Sequence, residues 1–150
     1  MRKLLSVCAV LACLAAAGNA WAVIGWAGNV WPLNGASVIP TAPVDVYAQV
    51  WKGGVTDAAG QGAGIAAELR YTTDIAPMQT VAMTYNTDVG NNDEYTGQVP
   101  QAALIGATYV DVTVVFTDLT DMTTFEVTGD QQGTPPPLRY NVVNVLPVNV

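Results

Sequence analysis

The chain has 150 residues, twelve acidic against five basic side chains, no histidine and a formal charge of −7. So acidic a surface repels nucleic-acid phosphates and anionic membranes, which bind proteins through Lys and Arg. Without histidine there is no Ser/His/Asp or Cys/His catalytic centre and no imidazole-ligated zinc.

The first element is a leader. Arg2 and Lys3 form a positive start, Leu4 to Ala17 is apolar apart from Ser6, and Ala20-Trp21-Ala22 supplies small residues at the two positions a signal peptidase recognises. The apolar run of about 14 residues is shorter than the roughly 20 needed to cross a bilayer as a helix, so the reading is a cleaved signal peptide, 1–22, with no transmembrane anchor. Both cysteines, Cys8 and Cys13, lie in it, in poor lipobox contexts. Cleavage after Ala22 leaves one domain, Val23 to Val150, secreted to the periplasm, cell surface or medium. It has no cysteine, and losing Arg2 and Lys3 takes its charge to −9. No disulfide can brace it, so a packed core must.

Beyond the leader the dominant period is two. Val44, Val46, Ala48 and Val50 alternate with Asp45, Tyr47, Gln49 and Trp51, which predicts a half-buried strand over 44–51. Weaker strands are predicted at Ile65 to Tyr71, where a short helical turn competes, and at Met78 to Tyr85. Stronger ones follow at Tyr109 to Phe116, Thr123 to Thr128 and Tyr140 to Val150, rich in β-branched and aromatic residues. Turn residues at Lys52-Gly53-Gly54, Gly60 to Gly64, Val89 to Asp93 and Thr128 to Pro137 separate these runs. No helical crossover fits between them, so the expected class is all-β: an antiparallel sandwich of about seven strands.

Three blocks carry a resemblance. They are Gly25-Trp26-Ala27-Gly28-Asn29-Val30-Trp31-Pro32; Val46 to Asp57 continuing through Gly60 to Tyr71; and Tyr85 to Tyr95 with its Asn91-Asn92-Asp93-Glu94-Tyr95 run, followed by Gly106 to Tyr109. Over Gly25 to Phe116 the chain resembles an immunoglobulin-like β-sandwich accessory module of secreted bacterial proteins, often found beside extracellular hydrolase domains. The resemblance implies a non-catalytic role and names no ligand.

Two candidate sites remain. Trp26, Trp31, Tyr47 and Trp51 are aromatic surfaces suited to stacking on sugar faces, or to core packing. Asp88, Asn91, Asn92, Asp93 and Glu94 gather hard oxygen ligands around Gly90. That fits a Ca²⁺ site, or a hairpin turn whose side chains bond the local backbone. No catalytic residue is assigned. The expected function is binding or adhesion to an extracellular carbohydrate or surface protein. The alternative is a structural subunit of a surface assembly, self-associating by strand addition at Val23 to Trp26 or Asn144 to Val150. A small secreted hydrolase is a more distant reading.

Overall fold

The computed structural model describes residues 22–144, so the predicted leader up to residue 21 and the last part of the predicted C-terminal strand lie outside the described residues. The described residues form nine strands: β1 Trp26–Trp31, β2 Ser37–Val38, β3 Val44–Trp51, β4 Ile65–Thr73, β5 Ala76–Val89, β6 Asn92–Val99, β7 Tyr109–Asp118, β8 Thr123–Glu126 and β9 Leu138–Val142. One short helix, α1 Gln101–Leu104, lies between β6 and β7. No helix among the described residues is long and apolar enough to cross a membrane.

The strands run β1-β3-β6-β5-β4-β7-β9-β2 through a single curled sheet, with β8 paired to β7. Every pairing is antiparallel except β2 with β9. The expected all-β, mostly antiparallel class holds, with nine strands where about seven were expected. The fourteen-residue β5 makes the curl. Its first part, Ala76 to Met83, pairs with β4, and its second, Thr84 to Val89, pairs with β6. Beyond the other flank of β4, β7 shares its far edge between β9 at Tyr109–Val112 and β8 at Val115–Asp118.

The two ends of the curl meet. Thr128 N donates to the Ala27 carbonyl at 2.9 Å and Val30 N to that of Gly129 at 3.3 Å, so β1 is bonded on both sides. Between the layers lie Val46, Ala48, Val50, Leu69, Val112, Val114 and Phe116, all buried. Tyr95 of β6 meets Phe116 of β7 edge-to-face at 5.5 Å, joining the two halves of the curl through a contact worth about 0.5–1.5 kcal/mol beyond its buried area.

β7 folds where expected and runs on to Asp118, whereas β8 ends at Glu126 instead of Thr128, and β9 starts at Leu138 and ends at Val142, before the described residues do. β3 matches its predicted bounds, and β4 is a strand with strict in–out alternation, not a helical turn. β5 runs from Ala76 to Val89, longer than expected at both ends. Three strands carry no clear pattern in sequence. β1 is broken by a register shift between Gly28 and Trp31, β2 has two residues, and the inward face of β6 includes Asp93 and Gly97 among its members.

Candidate functional site

The alternation of β3 puts Asp45, Tyr47, Gln49 and Trp51 on the outer face of the sheet, opposite the core valines. β1 lies antiparallel beside it, with Trp26 opposite Trp51, Gly28 opposite Gln49 and Trp31 opposite Tyr47. Directly opposed residues share a face, so all four aromatics named from sequence gather on this one surface. They form two rows, Trp26 with Trp51 and Trp31 with Tyr47.

The Trp31 and Tyr47 rings are 5.9 Å apart and tilted by 54°. Trp31 is 48% exposed and overhangs a groove of about 450 Å³ that Ile39, Pro43 and Asp45 help to line. Trp51 is held rigidly. Its indole Nε1 donates to Asp57 Oδ1 at 3.0 Å, and Asp57 Oδ2 accepts from Gly54 N at 2.7 Å. The ring lies so close to Gly25 that a Cβ there would come within 2.5 Å of it, so only glycine admits the ring in this position. Trp51 nevertheless remains 38% exposed.

Between the two rows runs a ladder of polar side chains. The Asn29 and Asn92 amides donate to Gln49 Oε1 at 3.0 and 3.2 Å. Gln49 Nε2 donates to Glu94 Oε2 at 3.4 Å, and Asn86 Nδ2 to Glu94 Oε1 at 2.8 Å. Asn29 reaches in from the irregular stretch of β1, where its φ is 52°. Such a bulge re-aims a side chain. Gln98 adds a bond to Asp45 at 2.7 Å. Asn29, Gln49, Asn86 and Gln98 were not singled out from sequence. For Gln49 the signal was present, since it sits between Tyr47 and Trp51 on the same face of one strand.

The oxygen-rich run Asp88 to Glu94 divides. Gly90 and Asn91 make the turn between β5 and β6, and Asp88 faces Asp93 across it. Asn92 and Glu94 join the outer ladder, whereas Asp88 and Asp93 turn to the glycine-rich loop that follows β3. Asp88 Oδ2 accepts from Gly60 N at 2.9 Å and Asp93 Oδ2 from Gly62 N at 2.7 Å. The Asn91 carbonyl accepts from Thr56 Oγ1 at 2.8 Å. The acids thus fasten the glycine-rich loop to the β5–β6 hairpin. Among the described residues, no three acidic side chains converge as a metal-binding group.

The Tyr85 hydroxyl donates to Asp88 Oδ1 at 2.6 Å, which with the Gly60 amide lowers the Asp88 pKa and pushes the tyrosine up to about 12. Burial raises Asp93. The opposite outer face is different in character. It carries Arg70 beside Glu68, and Arg139, which lies over the Tyr109 ring and pairs with Asp111 at 2.7 Å. Lys52, in contrast, is buried against Asp118.

The fold and the first face define an all-β domain that presents an aromatic and amide surface on a rigid sheet. No protein-family model matches the chain. Segments of it are similar to parts of amylopullulanases. Identity is 48% over 48 residues with that of Thermoanaerobacter thermohydrosulfuricus, covering 32% of this chain and 3% of that protein. With that of Thermoanaerobacterium thermosulfurigenes it is 31% over 96 residues, or 48% of this chain and 5% of the enzyme. The match to the Thermoanaerobacterium saccharolyticum protein is 31% over 94 residues, 48% of this chain and 7% of the enzyme. The chain therefore spans no more than 7% of the length of these curated relatives.

Proposed function

We propose that the chain is an exported, non-catalytic carbohydrate-binding module with an immunoglobulin-like sandwich fold, and that it holds a polysaccharide on the outer face of β1, β3 and β6. The observation that carries this reading is the placement of Trp31 and Tyr47 at one end of the amide ladder and Trp51 at the other. Tyr47 and Trp51 lie four residues apart on one strand, about 13 Å at the usual rise, enough for several sugar rings. Aromatic faces stack on the C–H faces of sugars, while amides and carboxylates bond their hydroxyls. A surface already rigid before binding loses little entropy on complex formation. Similarity to short segments of amylopullulanases supports a role beside carbohydrate chemistry and makes α-glucans the first polymers to offer.

The test is a pull-down on insoluble starch, with affinity electrophoresis in amylose and pullulan and cellulose as comparison. Tyr47→Ala combined with Trp31→Ala lowers affinity about tenfold or more, equivalent to ~1.4 kcal/mol or above. Arg70→Ala, on the opposite face, leaves affinity unchanged. A wild-type chain that retains none of these polymers, or a double variant that binds as well as wild type, defeats the reading.

A further inference from the structure

Three carboxylates lie along the aromatic face. Asp45 is exposed beside the groove under Trp31, Glu94 sits in the middle of the amide ladder, and Asp57 bonds the Trp51 indole. Asp45 and Trp51 are six positions apart on β3, so the acids are spread over about 20 Å of this surface.

Among the described residues every donor to these three acids is neutral. Asp45 accepts from the Gln98 amide at 2.7 Å, and Glu94 from the amides of Asn86 at 2.8 Å and Gln49 at 3.4 Å. Asp57 accepts from the Trp51 indole and the Gly54 N–H. Such bonds fix a carboxylate in place without cancelling its charge. The basic side chains among the described residues are committed elsewhere. Lys52 is buried against Asp118, while Arg70 pairs with Glu68 and Arg139 with Asp111 on the opposite outer face. Removal of the leader would add the α-amino group of Val23. That group lies two residues before Gly25, whose N–H bonds the Trp51 carbonyl, and so at the other end of β3 from Asp45.

We infer that this face selects its glycans by charge: it takes uncharged polysaccharides and rejects those that bear carboxylate or sulfate groups, with Asp45 as the chief specificity-determining residue. The inference rests on the carbohydrate reading above. Hydroxyls of a neutral sugar can donate to the three carboxylates in charge-assisted hydrogen bonds. An acidic glycan brings its own anions against them and meets no lysine or arginine that could receive one. An unmatched charge placed against the wrong ligand is a common source of specificity. The effect is local. At physiological ionic strength exposed charges are screened within about 8 Å. Packed sheets stand about 10 Å apart, so the acids of the opposite outer face contribute little. Asp45 leads because it is the exposed acid next to Trp31 and Tyr47, where a sugar ring would stack.

The experiment holds the protein on insoluble starch and elutes it with soluble competitors of matched chain length: amylose, hydroxyethyl amylose and carboxymethyl amylose at equal substitution. Derivatives of cellulose replace them if cellulose is the polymer retained. Hydroxyethyl groups add bulk without charge. At low salt the two neutral competitors agree within about threefold, and the carboxymethyl polymer is weaker by about tenfold or more. Raising the salt to about 0.5 M narrows that gap to about threefold or less, because exposed charges are then screened. Asp45→Lys narrows it as far at low salt. Glu126→Lys, the same change of charge on the opposite outer face, leaves it as in wild type. Should Asp45→Lys fail to fold, the salt series on wild type decides alone. A carboxymethyl polymer that competes as well as the neutral ones overturns the inference and leaves the carbohydrate reading standing. So does a gap that the hydroxyethyl polymer shares, that salt does not move, or that Glu126→Lys closes as far as Asp45→Lys. A protein that no neutral polymer retains brings down both.

Discussion

Asp118 and Asp93 are both fully buried, yet their surroundings give them opposite charge preferences. Asp118, at the end of β7, has Lys52 Nζ at 2.8 Å from each carboxylate oxygen, and its Oδ1 also accepts from the Thr120 amide at 3.0 Å and hydroxyl at 2.6 Å. Burial pushes its pKa up, but the bonds from Lys52 and Thr120 outweigh that, and the net shift is downward. Asp93 receives one bond, from Gly62 N. One oxygen of each carboxylate, Asp93 Oδ1 and Asp118 Oδ2, has no hydrogen-bond donor among the described residues, but Asp118 Oδ2 has the Lys52 ammonium 2.8 Å away and Asp93 Oδ1 has no cation. Burial dominates there, and the pKa rises. The lesson is that burial alone does not decide the protonation of a carboxyl group. A counter-ion and the number of donors do.

The sharpest way to break the contrast is to remove the counter-ion. Lys52→Met leaves Asp118 buried without its cation, so the variant loses about 3–5 kcal/mol and its thermal midpoint falls by roughly 10 °C or more, read by calorimetry. A variant that melts with wild type shows that Asp118 does not depend on Lys52. Next comes crowding of the poorly bonded carboxylate. A Cβ at Gly62 would sit 2.9 Å from Val55 Cγ1 and 3.1 Å from Asp93 Oδ2, so Gly62→Ala costs about 1–3 kcal/mol in a denaturant titration. Equal stability there means the glycine-rich loop yields freely.

The mildest change, Asp93→Asn, sharpens the comparison. The amide oxygen still accepts from Gly62 N and no anion is buried, so stability near neutrality stays within about 1 kcal/mol of wild type or rises. The difference lies in pH dependence. A group whose folded pKa is raised stabilises the fold while protonated, and that contribution is lost as pH rises from the ordinary value of 3.8 through the folded one. Asp118 has the reverse sign: its contribution is present above 3.8 and lost as pH falls through its lowered pKa. Midpoints measured between about pH 2 and pH 8 trace a curve with a limb from Asp118 below pH 3.8 and a falling limb from Asp93 above it. Asp93→Asn removes only the second limb, and an unchanged slope there sinks the assignment.

Neither carboxylate's environment was legible in the sequence. Lys52 and Asp118 are 66 positions apart, and Asp93 is joined to Gly62 across 31. Such pairs are made by strand register and leave no local trace. β3, β4 and β7 were readable because apolar residues fill nearly every inward position. β6 was not, since its inward face includes a buried acid and a glycine, which hide the period of two. The aromatic face was half legible. Tyr47 and Trp51 share a strand whose alternation reveals them, whereas Trp26 and Trp31 reach that face only through the pairing of β1 with β3, and Asn29 only through the bulge.

The long β5 has one more consequence. A sandwich made of two separate plates holds them together with side chains alone, so the plates can shear along the oily layer between them. Here one continuous backbone belongs to both halves, and sliding one past the other requires tearing hydrogen bonds from that common rod. A mechanical load on one half of this domain is therefore passed to the other along β5.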